Sequence, residues 1–243
     1  MKWSTPIQLI FLLTSIIRFS EISANESANE IVKKADLKRG LGNVSHSFSV
    51  TVTDQDNKIE KFFVSFKDVN NTVTEQTVPE RARGRKLLMK DYDIWLFSPN
   101  IKKALRISLE QKLTGQVSNG DIARTNYSED YDATFIDSSK AINDGNFHIK
   151  LKAKNKKVTY GEILYLVSKK DNSPREATFY ALSGKPLKHA IFSDFKSIQG
   201  INRSTKMTIQ DYLQKNKIST MLFSEHKLEN FSDSLFNKER LEF

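Results

Sequence analysis

After about residue 45 the chain keeps returning to a period of two, and this constrains its fold more than any other feature. In His46–Thr53, Phe48, Val50 and Val52 alternate with Ser47, Ser49, Thr51 and Thr53. The polar stretch Asp54-Gln55-Asp56-Asn57 follows, and in Lys58–Lys67 the residues Phe62, Val64 and Phe66 again fall on one side. Successive side chains of an extended chain point to opposite faces, so the two runs read as half-buried strands joined in a β-hairpin. The same spacing predicts strands over Thr72–Val78, Arg85–Lys90, Asp93–Phe97, Lys103–Leu109, Thr134–Asp137, Phe147–Lys154, Tyr160–Lys169, Ala177–Leu182, Leu187–Phe195, Lys206–Asp211 and Ile218–Glu225. Turn signals such as Ser98-Pro99-Asn100, Asp171-Asn172-Ser173-Pro174 and Ser183-Gly184-Lys185-Pro186 separate many of them. Short strands joined by turns argue for a mainly antiparallel sheet and against βαβ units.

Three segments break the period. Asn25–Leu41 has helical spacing through Ile31, Ala35, Leu37 and Leu41, with Asn25 or Ser27 as cap and Gly40 or Gly42 as stop. Glu110–Asp132 is a long excursion without alternation, and segments of that length inside a compact domain are usually functional or flexible. The tail Asn230–Phe243 predicts a short terminal helix. A sheet with one apolar face must cover that face, and these segments are little cover. A closed barrel, a sandwich, or a curved sheet wrapped around a few helices and a ligand would each solve the problem. Strict alternation on both arms of the first hairpin places Phe48, Val50, Val52, Phe62, Val64 and Phe66 together on the inner face. Asp93–Phe97 is apolar on both faces, and the larger aromatic area favours Trp95 and Phe97 over Ile94 and Leu96 as lining of a pocket.

Several kinds of chemistry are excluded or unsupported. The 243 residues contain no Cys, which removes disulfides, thiolate metal sites and a Cys nucleophile. No Gly-rich phosphate loop, HExxH or GxSxG is present. The four His, at 46, 148, 189 and 226, are scattered. The acidic cluster Glu129–Asp132 could hold calcium but reads more simply as a polar cluster, and Asp54–Asn57 lacks the Gly and the bidentate Glu of a calcium loop. No metal, cofactor or catalytic group is therefore expected. The net charge is +9. The basic residues mostly alternate with apolar ones, as in 150–157, which is the pattern of a solvated strand face and not of a nucleic-acid patch.

At the N-terminus, Met1-Lys2 followed by the apolar run Ile7–Ile17 and by Ile22-Ser23-Ala24 reads as a secretory leader, residues 1–24, cleaved after Ala24. Residues 25–243 would then form a single exported domain. Export without disulfides fits a bacterial envelope.

Within that domain a set of motifs is familiar. Arg83-x-Arg85-Lys86 precedes Asp93-Ile94-Trp95-Leu96-Phe97-Ser98-Pro99 and Ala104-Leu105-Arg106-Ile107-Ser108. Leu113-Thr114-Gly115-Gln116, Gly120-Asp121-Ile122-Ala123, Asp130-Tyr131-Asp132-Ala133 and Phe179-Tyr180-Ala181-Leu182-Ser183-Gly184-Lys185 follow. The combination resembles the LolA-like outer-membrane lipoprotein-sorting proteins, in the branch with a D-x-W-L-[YF]-x-P signature, over about residues 30–240. The resemblance implies an incomplete, half-open β-barrel covered on its concave side by short helices and loops. It implies a periplasmic, monomeric, non-enzymatic carrier for acyl chains of a lipoprotein or lipid, served by an inner-membrane transporter and an outer-membrane acceptor. An envelope sensor that binds a lipid signal and a protein partner is the alternative on the same fold. On this reading Phe48, Val50, Phe62, Phe66, Trp95 and Phe97 line the cavity. Arg83, Arg85, Lys86 and Arg106 stand at its rim to meet anionic headgroups or an acidic acceptor, and 110–132 is the lid.

Overall fold

The computed structural model describes residues 26–40, 44–124, 126–136, 144–214 and 217–241, with the side chain of residue 102 excepted. The leader, the helix ends Asn25 and Leu41 and the strand end Asp137 lie outside the described residues.

Helix α1, Ala28–Arg39, opens the described chain. Ser27 caps it in a reciprocal box: its hydroxyl accepts from the Glu30 N–H at 3.3 Å, and the Glu30 carboxylate accepts from the Ser27 N–H at 2.9 Å. The helix buries Ile31, Val32 and Ala35. Leu37, counted among its apolar positions from spacing, is instead exposed.

Two meanders follow. The first is β1 His46–Asp54, β2 Ile59–Asp68, β3 Asn71–Val78, β4 Lys86–Lys90, β5 Asp93–Ser98 and β6 Ile101–Ile107. The chain then crosses the sheet's concave side as a small hairpin, β7 Lys112–Thr114 and β8 Val117–Ser118, and two short helices, α2 Asn119–Ala123 and α3 Tyr127–Asp130. The second meander is β9 Tyr131–Phe135, β10 Asn146–Ala153, β11 Glu162–Ser168, β12 Pro174–Tyr180, β13 Pro186–Ile198, β14 Ile201–Asp211 and β15 Ile218–Leu228. Two 3-10 turns, Asp233–Phe236 and Lys238–Arg240, are the last elements among the described residues.

Thirteen strands form one antiparallel sheet in the order β6-β5-β4-β3-β2-β1-β15-β14-β13-β12-β11-β10-β9, and it is not closed into a barrel. Its two edges, β6 and β9, are joined by the crossing segment. The inner-face residues expected from the first hairpin do share one core: Phe48, Val50, Val52, Phe62, Val64 and Phe66 pack with Ile31, Val32 and Ala35 of α1. The helix therefore fills the trough of the half-barrel, and burying its apolar face there supplies most of its stability.

Register carries the inner face across to β5. Phe62 pairs with Gln76 and Val64 with Thr74, Thr74 pairs with Leu87, and Leu87 pairs with Leu96. Leu96 and Ile94 thus face inward. Trp95 and Phe97 face outward, where Phe97 packs with Val73, Leu88, Phe236 and Leu241 and Trp95 lies against the same cluster. The expectation that Trp95 and Phe97 line the cavity is corrected here. The C-terminal tail gives the convex side of β3–β5 its own apolar cover, so the aromatic face is the one spent on the tail.

Candidate functional site

The segment that crosses the concave side is tightly seated. At the hairpin tip Gly115 takes φ +51° and lies so close to β15 that a Cβ there would sit 2.5 Å from Ser219 Oγ. The Gln116 N–H donates to Ser219 Oγ at 3.0 Å. At the start of α2, a Cβ on Gly120 would overlap Thr159 Oγ1 at 1.9 Å, so only glycine lets the helix approach that loop. We call residues 112–123 the strap.

A buried ion pair latches it. The Lys188 ammonium of β13 donates to the Asp121 carboxylate of α2, to the Gln116 carbonyl at 3.2 Å and to Ser118 Oγ at 3.4 Å. Side-chain exposure is 6% for Lys188 and 4% for Asp121. The Asp121 carboxylate also accepts from the Ser118 N–H at 2.7 Å and the Tyr160 hydroxyl at 2.5 Å. Burial pushes the Lys188 ammonium below its ordinary pKa, and Asp121 opposes that shift. Lys112 adds an outer tie to Asp211 at 3.1 Å.

Further along, Arg124 and Asp130 form a second buried pair, bidentate at 2.5 and 2.6 Å. Arg124 also donates to the Val69 and Asp91 carbonyls at 2.7 and 3.0 Å, which fastens the end of the crossing segment to the β2–β3 and β4–β5 turns. The expected lid is therefore ordered by polar latches together with the burial of Val117, Ile122 and Tyr127 in the core.

The strap divides the mouth of the half-barrel into two pockets. One, about 330 Å³, has Phe62, Leu87, Leu96, Ile107 and Leu113 as its apolar walls and Lys58, Arg81, Arg85 and Lys112 as basic groups at its edge. Its one acid, Glu60, is held by Lys58 at 2.6 Å and by Gln76 at 3.1 Å. The other, about 280 Å³, lies beyond the strap between Tyr160, Ala181, Leu187, Leu213 and the latch residue Lys188. Each is close to the lower end of the range for small-molecule sites, roughly 300–1,000 Å³, and Lys112 of the strap borders both. Both are amphipathic: apolar walls with charged groups at the edge. That arrangement suits a molecule with a tail and a polar head.

The sequence-derived site residues separate accordingly. Phe62 and Arg85 line the first pocket. Phe48 and Phe66 line a much smaller internal niche near α1, and Val50 is wholly buried in the core. Arg83 is exposed on the turn before β4 and pairs with Glu80 at 2.7 Å. Lys86 pairs across the sheet with Phe97 and Arg106 with Trp95, so these two share the convex face and do not stand at the rim. Arg106 binds Asp93 there. Arg81, Leu96, Ile107 and the Lys188–Asp121 latch were missed. Leu96 and Ile107 carried a signal, since they are the inward half of a two-sided apolar strand and its neighbour. Lys188 and Asp121 lie far apart in sequence and carried none.

The fold is an open antiparallel half-barrel with a helix in its trough and a strap over two amphipathic pockets. A LolA superfamily protein (NE2245) of Nitrosomonas europaea is 32% identical and superimposes with a TM-score of 0.82, over 88% of this chain and 99% of that one. The chain belongs to the LolA superfamily. A domain assigned to outer-membrane lipoprotein sorting from Vibrio parahaemolyticus shares the fold at 17% identity, TM-score 0.69, over 89% of this chain and 98% of that one. So does a DUF1329 family protein from Desulfovibrio piger at 18% identity, TM-score 0.70, over 88% and 97%. A family profile described as "uncharacterized protein" matches residues 68–243. No curated protein sequence matches.

Proposed function

We propose that this protein is a non-catalytic carrier of the bacterial envelope that shelters acyl chains of a lipoprotein or lipid beneath the strap. Residues 1–24 act as its export leader and 25–243 as its working domain. The observation that carries this reading is the strap itself, a polar latch that divides one apolar groove into two. Each methylene of an acyl chain gains about 0.8 kcal/mol on leaving water, so a chain of ordinary length needs an apolar shelter to travel between membranes. A carrier must also release its cargo. The strap combines core packing through Val117 and Ile122 with the Lys188–Asp121 latch, and release would require that latch to open. Arg81, Arg85, Lys58 and Lys112 would meet an anionic headgroup or an acidic acceptor at the pocket edge.

The test is binding of a fluorescent stearate analogue, with thermal stability measured on the same samples. Leu96→Asp places an unpaired charge in the first pocket and should weaken binding at least tenfold. Phe97→Ala, on the opposite face, should leave affinity unchanged. Wild-type protein that binds no acyl probe, or a Phe97→Ala protein weakened as much as Leu96→Asp, would end the proposal. Native mass spectrometry of protein purified from the envelope without detergent would then identify the cargo.

A further inference from the structure

Between α1 and the inner side of the strap, a small niche holds the guanidinium of Arg203, which among the described residues forms no ion pair. Arg203 of β14 is only 2% exposed and projects inward into it. Its Nε–H has no hydrogen-bond partner. One terminal N–H donates to His226 Nδ1 at 3.5 Å. That contact puts the His226 proton on Nε2, and Nε2 is also buried without a partner. His46 donates its own Nδ1–H to the Val44 carbonyl at 2.6 Å, leaving its other nitrogen free of that bond.

The carboxylates nearby are committed elsewhere: Asp36 to Arg39 at 3.1 Å, and Asp121 to Lys188. The only influence resolved on Arg203 is burial, which lowers its guanidinium to about 10. A buried cation without a counter-charge costs several kcal/mol, and leaving its donors unsatisfied adds to that.

The surroundings are built for an occupant. Phe48 is stacked between His46, at 5.3 Å, and His226, at 5.6 Å. Phe66, Phe192, Phe223, Tyr127 and Met207 form the rest of the apolar wall, and the paired Arg39 and Asp121 side chains also border it. His226 reaches the niche because Glu225 takes φ +56°, an irregularity that breaks the alternation from Phe223 and turns the next side chain inward. The remaining space is about 30 Å³, room for a small ion and not for a lipid tail.

From the orphaned Arg203 and His226 donors in this enclosed niche, we infer that the protein binds one small monovalent anion, a halide or a free carboxylate of formate size. Arg203 Nε–H and His226 Nε2–H are the groups that hold it. The site is separate from the two pockets under the strap and does not rest on the carrier reading.

The experiment follows thermal unfolding at pH 7.5 and constant ionic strength while sodium gluconate is replaced by chloride or formate. The wild-type Tm should rise by about 4 °C for each tenfold excess of anion over its dissociation constant. In Arg203→Met, whose side chain fills similar space without charge, that rise should vanish. A rise with decanoate alone, lost in Arg203→Met, would assign the occupant as the head of an amphiphile and overturn the small-ion assignment. No anion-specific rise, or an equal rise in the variant, overturns the site. Should the variant not fold, the ring nitrogens of His46 and His226 in wild-type protein settle the matter by NMR. Saturating formate should shift His226 Nε2, and an unmoved signal overturns the proposal.

Discussion

Lys188→Met tests the latch. The substitution keeps the aliphatic stem and removes an ammonium that is 6% exposed, leaving an Asp121 carboxylate that is 4% exposed. Breaking one side of a buried pair costs about 3–5 kcal/mol. The Ser118 N–H and the Tyr160 hydroxyl still donate to Asp121, which sets the expected loss at the lower end, about 3 kcal/mol. For a chain of this size that is a fall in Tm of about 6–12 °C. Since the lost bonds run between the strap and β13, the cost should fall on strap opening as well as on global unfolding. Release of a bound acyl probe, followed by stopped-flow after dilution into vesicles, should therefore accelerate by up to roughly a hundredfold. The double variant Lys188→Met, Asp121→Leu removes both charges and should recover part of the lost stability, because no unpaired charge stays buried while the Ser118 N–H and the Tyr160 hydroxyl lose their acceptor. A Tm within 2 °C of wild type would refute the energetic reasoning. A large fall in Tm with an unchanged release rate would refute the latch while leaving the ion pair as a stabilising contact only.

Two other predictions follow from the tail and the histidines. Phe236 is buried against Val73, Leu88 and Phe97, so Phe236→Ala should cost about 3–5 kcal/mol in urea unfolding and red-shift the emission of Trp95, the one tryptophan outside the proposed leader. An unshifted spectrum would show that the tail does not cover that face. Burial first, and Arg203 second, lower His226 to about 4, and burial likewise lowers His46 to about 4, against an ordinary value of 6.5. The unfolded chain takes up protons that the folded chain refuses, so stability is full above pH 6.5 and declines from there to pH 4, by about 1.4 kcal/mol per pH unit for each imidazole. Urea midpoints measured from pH 7.5 to 5 in gluconate should show that decline, and His226→Phe should reduce it by about half, leaving the share of His46. A midpoint constant over the range would contradict the burial of both rings.

The strands were legible because alternation is a local property: Phe48, Val50 and Val52 announce their common face without reference to anything distant. The inner face of β5 was not, because Leu87-Leu88-Met89 and Ile94–Phe97 are apolar on both sides. Only pairing back to Gln76 and Thr74 decides which side is concave. The strap showed in sequence as an excursion and an expected lid, but its latches did not, for the opposite reason. Its order rests on Asp121, Lys188, Ser219 and backbone carbonyls, whose partners lie roughly 70–100 residues away. His148 and His189 are the exposed or satisfied residues that their strands imply, contacting Asp144 at 3.0 Å and Thr178 at 3.1 Å. His226 reads the same way in sequence, and only the positive φ at Glu225 turns it inward.

Every neighbouring pair in the large sheet but one is consecutive along the chain. The exception is β1 with β15, where Val50 meets Phe223. Closing so long a loop costs roughly 2–3 kcal/mol more than closing a ten-residue hairpin, since the entropy grows only with the logarithm of length. Each meander can thus assemble from local contacts, and the kinetic burden of the topology falls on one seam at the middle of the sheet. The ends of that seam lie side by side, His46 opposite Leu228. A circular permutant that joined the chain ends there and opened the connection between β6 and β9 would run β9 to β15 and then β1 to β6. Every pairing in its sheet would then be sequential. The native order keeps a long-range closure that such a rearranged chain would not need, and in return it keeps the strap continuous.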